Sequence, residues 1–294
     1  MRFSTGGTRT RAPESLGQAE KMKVFLVGIN VPRPVSDRVP SDLDPECRRI
    51  SIRGRDGVTL GAWSCDRGPG TPLIILFHGY AAEKTGLLPE ARNFLDLGGS
   101  VLLVDFRGSG ESSESYTTIG FREAEDVAAA VEYARDNLPH SATILFGQSM
   151  GAAAVLRAIR DKGVTPDAVI LEAVFDTMLH TVRNRFKAVG APSFPSAELL
   201  TFWGGMQAGY NGFSLNPVDY AQAVSCPALL MHGADDPRAT LVEGLRVYGA
   251  VPSTKEFKEF RAAGHQSYAS RFPKEWRDAV APFLGAAGKD RAKE

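Results

Sequence analysis

At 294 residues, with 43% hydrophobic and 23% charged side chains, the chain has the make-up of a globular protein large enough to bury its own core. Its 34 basic and 34 acidic residues cancel, which argues against the basic face that nucleic acid demands. No run of about 18 apolar residues occurs, so no integral membrane segment is expected and the location reads as cytoplasmic by default. The three cysteines, Cys47, Cys65 and Cys226, are widely spaced and form no CxxC or Cys/His cluster. Neither a disulfide framework nor a metal site is suggested, and a reducing compartment is the simpler reading.

In chain order, residues 1–45 read as a tail or extension. MRFSTGGTRTRAP carries no acid before Glu14, the apolar run at 24–31 is too short to span a bilayer, and Met22 is a candidate start. VPRPVSDRVPSDLDP resists helix and sheet and is expected to wrap onto the main domain, residues 46–290. RRISIRGRDGVTLGAWSC alternates polar and apolar residues around Asp56-Gly57 and predicts a β-hairpin.

A different rhythm follows. PLIILFHG, SVLLVDFRG, ATILFGQS, AVILEAVF and PALLMHG are short continuous apolar runs, the pattern of strands buried on both faces. Helical periodicity at 89–97, 121–137 and 150–162 lies between them, and a last helix is expected at 273–284. The reading is an α/β fold, a doubly wound, mostly parallel sheet flanked by helices. Residues 176–217 interrupt the alternation with seven large apolar side chains among Gly and Pro, and read as a small helical cap.

Chemistry concentrates at three points. Gly147-Gln148-Ser149-Met150-Gly151 joins a strand to a helix, the context of a strained nucleophile turn that needs small residues two before and two after the serine. Serine needs a base, and the base needs an orienting acid, in the order Ser, acid, His at strand ends. Asp235 and Asp236 follow PALLMHGA, and His265 follows EFKEFRAAG. Ser149, Asp236 and His265 are therefore the candidate triad; Asp236 is preferred because it stands four residues past His232, with Asp235 as the alternative. An oxyanion would take backbone N–H groups from Met150 and from Tyr80 in the His78-Gly79-Tyr80 loop.

Together HGY, DFRGSGES, GQSMG, HGADD and the late GH resemble the α/β-hydrolase superfamily over roughly residues 48–284. The single-domain serine hydrolases of the BEM46-like and serine-aminopeptidase-like groups look most similar. That resemblance implies ester cleavage through an acyl-enzyme, with no cofactor and a small-molecule ester as partner. Thioesterase or acyltransferase chemistry on the same triad, or an inactive binding scaffold, are the competing readings; oligomeric state is not legible. Serine at the elbow excludes the aspartate chemistry of dehalogenases and epoxide hydrolases in this fold.

Other residues have plainer expectations. Phe202, Trp203, Met206 and Tyr210 in the cap are candidates for lining the substrate, with packing of the cap itself as the rival role. From Thr177 to Asn216 there is one acid, Glu198, against Arg183, Arg185 and Lys187, which disfavours binding a free ammonium and favours neutral or acidic esters. His78 and His232 read as structural, and His140 and His180 as solvated. Asp105 and Arg107 read as a buried pair, and Glu123, Glu125 and Asp126 as an exposed first helical turn.

Overall fold

The computed structural model describes residues 2–4, 6, 17, 19–20 and 31–290. The candidate start Met22 and all but the last residue of the run at 24–31 lie outside them. β1 (Arg48–Arg53) and β2 (Thr59–Cys65) form the hairpin, turning through Asp56 and Gly57 at φ 55° and 75°. β3 (Leu73–Phe77), β4 (Ser100–Val104), β5 (Thr143–Gln148), β6 (Ala168–Glu172), β7 (Ala228–Gly233) and β8 (Lys255–Phe260) follow. The sheet order is β1-β2-β4-β3-β5-β6-β7-β8, with β1 and β2 antiparallel and the other six strands parallel.

Alternation along these strands feeds two cores. Ile75, Phe77, Leu145 and Leu171 face one way, onto α2 (Glu123–Asn137) and α3 (Met150–Lys162), through Val127, Ala130, Ala152 and Leu156. Ile74, Leu76, Phe146 and Ile170 face the other way, onto α1 (Leu88–Asp96) and α9 (Pro273–Asp290), through Phe94, Trp276 and Val280. Continuous apolar strands thus serve both faces, as a sheet wrapped by helices requires. Strand order reverses at β3: one connection leads to β4 on one side, and β5 lies on the other. In open α/β sheets the crevice at such a reversal, beyond the carboxyl ends of the strands, is where ligands bind.

Between β6 and β7 lie α4 (Met178–Val189), α5 (Ser196–Ala208) and the single turn α6 (Pro217–Tyr220). Thr177 caps α4 by accepting from the His180 N–H. α7 (Leu241–Ala250) precedes β8, and the short α8 (Tyr268–Arg271) leads into α9. Among the described residues no helix is long and apolar enough to cross a membrane.

The structure corrects several expectations. Cys47 and Cys65 are joined by a disulfide, leaving Cys226 free. The hairpin register pairs Arg48 with Ser64, so the two cysteines fall opposite one another one step further along. Asp105 and Arg107 are both buried but not paired together. Asp105 takes Lys84 (2.6 Å) and Arg107 takes Asp126 (2.7 Å). The first turn of α2 is not exposed: Glu123 is fully buried and accepts from Thr117 and Thr118 hydroxyls and from the Thr118 and Gly120 N–H groups. A buried carboxylate with four donors is a structural hub. His140 lies against Leu138 O and Thr143 Oγ1, and His180 against Asp176 (2.9 Å), so neither is simply solvated.

Candidate active site

β5 ends at Gln148, and Ser149 turns the chain into α3 with φ 53° and ψ −110°. A serine at positive φ costs about 1–3 kcal/mol, and here the surroundings impose it. The Ser149 N–H donates to Glu172 O (2.7 Å), and Ser149 O accepts from Ala153 N (3.1 Å). The flanking glycines are required by space. A Cβ on Gly147 would stand 2.6 Å from Ala152 N, and one on Gly151 would stand 2.2 Å from Phe77 O.

Three strand ends converge here. His265 Nε2 lies 3.0 Å from Ser149 Oγ, and His265 Nδ1 lies 2.7 Å from Asp236 Oδ2. Asp236 Oδ1 accepts from Arg238 N (2.8 Å) and Ala239 N (3.0 Å). Of the adjacent acids, Asp236 is buried and bonded to the imidazole, whereas Asp235 is exposed. Burial pushes the Asp236 carboxyl up, but the bonds from His265, Ala239 and Arg238 outweigh it and hold the group below the usual carboxylate range. Asp236 is thus a carboxylate fixed against Nδ1, which leaves Nε2 to face the serine.

The loop after β3 closes the other side. A Cβ on Gly79 would lie 3.6 Å from Ser149 Cβ, so this loop runs beside the nucleophile turn. His78 Nε2 accepts from Phe106 N (3.0 Å), Nδ1 meets Gly79 O (2.8 Å), and burial lowers its proton affinity; it braces the loop as a neutral ring. His232, bonded to Ala239 O, braces the Asp236 loop in the same manner. Tyr80 follows in the β3 loop, and Met150 opens α3, where the first-turn N–H groups have no intrahelical acceptor. Such donors at a helix N-terminus favour an anion.

The apolar candidates divide. Phe202, Trp203 and Met206 are 46%, 59% and 62% exposed on α5. Tyr210 instead stacks on Phe121 with ring centroids 4.0 Å apart, and its hydroxyl donates to Thr118 O. It therefore ties the segment after α5 to the loop before α2. Arg183 is held by Glu198 (2.5 Å), so its charge is committed within this region and does not stand ready for an acidic ester.

Sequence reasoning missed two residues beneath the site, Glu90 and Glu172, both fully buried. Glu90 was legible only as a polar position in a helix, and Glu172 as a residue within a strand.

Residues 69–195 match the family model described as serine aminopeptidase, S33 (Hydrolase_4). The chain is similar to the lysophosphatidylserine lipase ABHD12 of Rattus norvegicus, 22% identical over 274 residues, 81% of this chain and 65% of the relative. It is similar to the protein bem46 of Schizosaccharomyces pombe, 28% identical over 158 residues, 52% of each chain. It thus spans less than two thirds of both of these relatives. Among solved structures, the Pyrococcus furiosus esterase Pf2001 superposes with a TM-score of 0.72 at 25% identity, covering 87% of this chain and 97% of that one.

Proposed function

Because this chain is a hydrolase of the α/β-hydrolase superfamily, in its BEM46-like group, we propose that it cleaves carboxylic esters through an acyl-enzyme on Ser149. The observation that carries this reading is the linked pair of hydrogen bonds, Ser149 to His265 at 3.0 Å and His265 to Asp236 at 2.7 Å, behind a serine held at positive φ. The esterase and lipase relatives support an ester as the substrate class.

In this reading His265 Nε2 takes the Ser149 proton as Oγ attacks the acyl carbonyl, and Asp236 stabilises the imidazolium that forms. The N–H groups of Met150 and Tyr80 receive the oxyanion, each donor contributing about 3 kcal/mol in the transition state. His265 then protonates the leaving alcohol, and water repeats the cycle on the acyl-enzyme. Proton transfer and hydrogen bonding suffice for every step. Residues 176–217 act as the cap, with Phe202, Trp203 and Met206 offered to the apolar part of the ester; Tyr210, also a candidate for that lining, anchors them. The Cys47–Cys65 bridge favours an oxidising compartment over the cytoplasmic location that composition suggests.

The test is hydrolysis of p-nitrophenyl esters from acetate to palmitate, wild type beside Ser149→Ala, with fluorophosphonate labelling of both. Turnover and labelling that vanish in Ser149→Ala support the reading, and the preferred chain length sizes the acyl site. Preference for thioesters, or interception by added alcohols, would redirect it to thioesterase or acyltransferase chemistry. A wild type silent in both assays would leave a binding scaffold.

A further inference from the structure

Beneath the nucleophile turn the molecule buries two acids that the reaction does not use. Glu90, in the first turn of α1, and Glu172, the last residue of β6, are both 0% exposed. Their hydrogen-bond partners are neutral. Glu90 Oε1 accepts from Ser267 Oγ (2.5 Å), Glu172 Oε1 accepts from the Trp276 indole N–H (2.6 Å), and Glu172 Oε2 faces Gln148 Nε2 at 3.5 Å. Glu90 Oε2 is buried without a hydrogen-bond partner. A buried carboxylate ordinarily has a cation or several donors. Here two acids have one strong donor each, and among the described residues no Lys or Arg bonds either one.

Both acids are linked to the candidate triad through hydrogen bonds and short stretches of chain. Ser267 lies two residues after His265 and also caps α8, accepting from Ser270 N (3.1 Å). Its neighbour Tyr268 accepts from Gly233 N (2.7 Å), three residues before Asp236. The backbone oxygen of Glu172 holds the Ser149 N–H. The loop bearing His265 thus rests on Glu90, and the turn bearing Ser149 rests on Glu172.

We propose that Glu90 and Glu172 are positioning residues that hold the His265 loop and the Ser149 turn at their working separation. The inference rests on the triad reading above. Burial drives both carboxyls toward the neutral form: Glu90 is pushed up to about 7, and Glu172 well above the usual range by burial and then by Glu90 itself. The groups facing the pair are Ser267 and Tyr268 from the α8 segment, Trp276 from α9 and Gln148 from β5. Tyr268 is neutral, its own proton held more tightly by burial and by Asp236 and Glu172. Loss of the Glu90 proton leaves an uncompensated charge in a dry interior, on the group that holds Ser267, which favours opening the contact between α1 and the Ser267 loop to water. That loss falls on the alkaline side.

The experiment uses Glu90→Gln, Glu90→Ala and Ser267→Ala, with kcat and KM for p-nitrophenyl acetate and the fluorophosphonate labelling rate from pH 5.5 to 9.5. Glutamine keeps an acceptor for Ser267 and has no acidic proton to lose. The expected result is an alkaline fall in wild-type kcat that Glu90→Gln lacks. Glu90→Ala and Ser267→Ala should lose on the order of ten- to a hundredfold in kcat, with KM within about twofold, as loosened positioning predicts. A Glu90→Gln profile that superposes on wild type overturns the proposal, as does unchanged kcat in Ser267→Ala. Should Glu90→Ala not fold, the other two variants decide. A wild type inert to ester and probe overturns the triad reading instead. The pair is then judged by thermal midpoint alone, which should fall between pH 5 and 7.5 in wild type but not in Glu90→Gln.

Discussion

Replacing Gly151 with alanine tests whether the end of β3 and the start of α3 are held in contact by the missing side chain. The new Cβ would lie 2.2 Å from Phe77 O, 2.8 Å from Phe77 C and 2.9 Å from His78 O, all backbone atoms that cannot swing aside. Relief requires roughly 1 Å of separation between the first turn of α3 and the strand end, and overpacking of this kind costs about 1–3 kcal/mol. With an unfolding entropy of roughly 2 cal/mol/K per residue over a chain of this length, the midpoint should fall by about 2–5 °C. Catalysis should fall further. The same movement displaces Ser149 and the Met150 N–H from the His78–Tyr80 loop, and a 1 Å error in such positioning costs on the order of a hundredfold. Gly249→Ala is the matched control. It lies on the exposed side of α7, with nothing within 4 Å of a Cβ, and should raise stability by about 0.5–1 kcal/mol without touching turnover. Scanning calorimetry and fluorophosphonate labelling measure the two effects. A Gly151→Ala protein with wild-type midpoint and wild-type labelling would refute the steric argument.

Asp236→Asn keeps the shape but removes the charge that orients His265, so kcat should fall on the order of 10³–10⁴-fold with KM little changed; a loss under tenfold would remove Asp236 from the triad. The raised Glu90 group has a definite linkage sign. Unfolded, the acid loses its proton near 4.5, whereas folded it holds the proton to about 7, so stability declines as pH rises through that window. The decline is roughly 3 kcal/mol, and denaturant titrations at pH 5 and 8 should show it in wild type but not in Glu90→Gln. The Cys47–Cys65 bridge closes a loop with a sequence separation of 18, which contributes about 3 kcal/mol by the chain-entropy estimate. Reductant or Cys47→Ser should lower the midpoint by roughly 5 °C, and three titratable thiols in unreduced, denatured protein would contradict the bridge.

The layout of the sheet was readable because its strands are continuous apolar runs. ATILFGQSMG also carries its own context, strand then turn then helix. The order of Asp236 and His265 was readable because Asp236 comes just after the apolar run PALLMHG and His265 comes just after EFKEFRAAG. What escaped is buried charge. Glu123, Asp126, Glu90 and Glu172 are spaced like solvated residues on a helix or polar breaks in a strand, and only tertiary packing removes them from water. Their partners are distant in sequence, as with Trp276 on Glu172 and Ser267 on Glu90. The disulfide was hidden by an odd cysteine count, although the hairpin register around Asp56-Gly57 was already implied by the alternation on either side. Arg183 looked like a free cation because Glu198, fifteen positions on, is brought to it only by the packing of α4 against α5.

The two outermost strands of the sheet have a consequence for how copies of this molecule meet. β1 reads RRISIR and β8 reads KEFKEF, so each border carries long charged side chains at several exposed or half-exposed positions. An incoming strand that sought the open N–H and C=O groups there would have to strip water from those charges and, at β1, meet a row of arginines. Growth of the sheet by addition of a second chain is thereby penalised at both ends. Crowded copies should stay dispersed when salt is low, and self-association should rise first where ionic strength masks the arginine border.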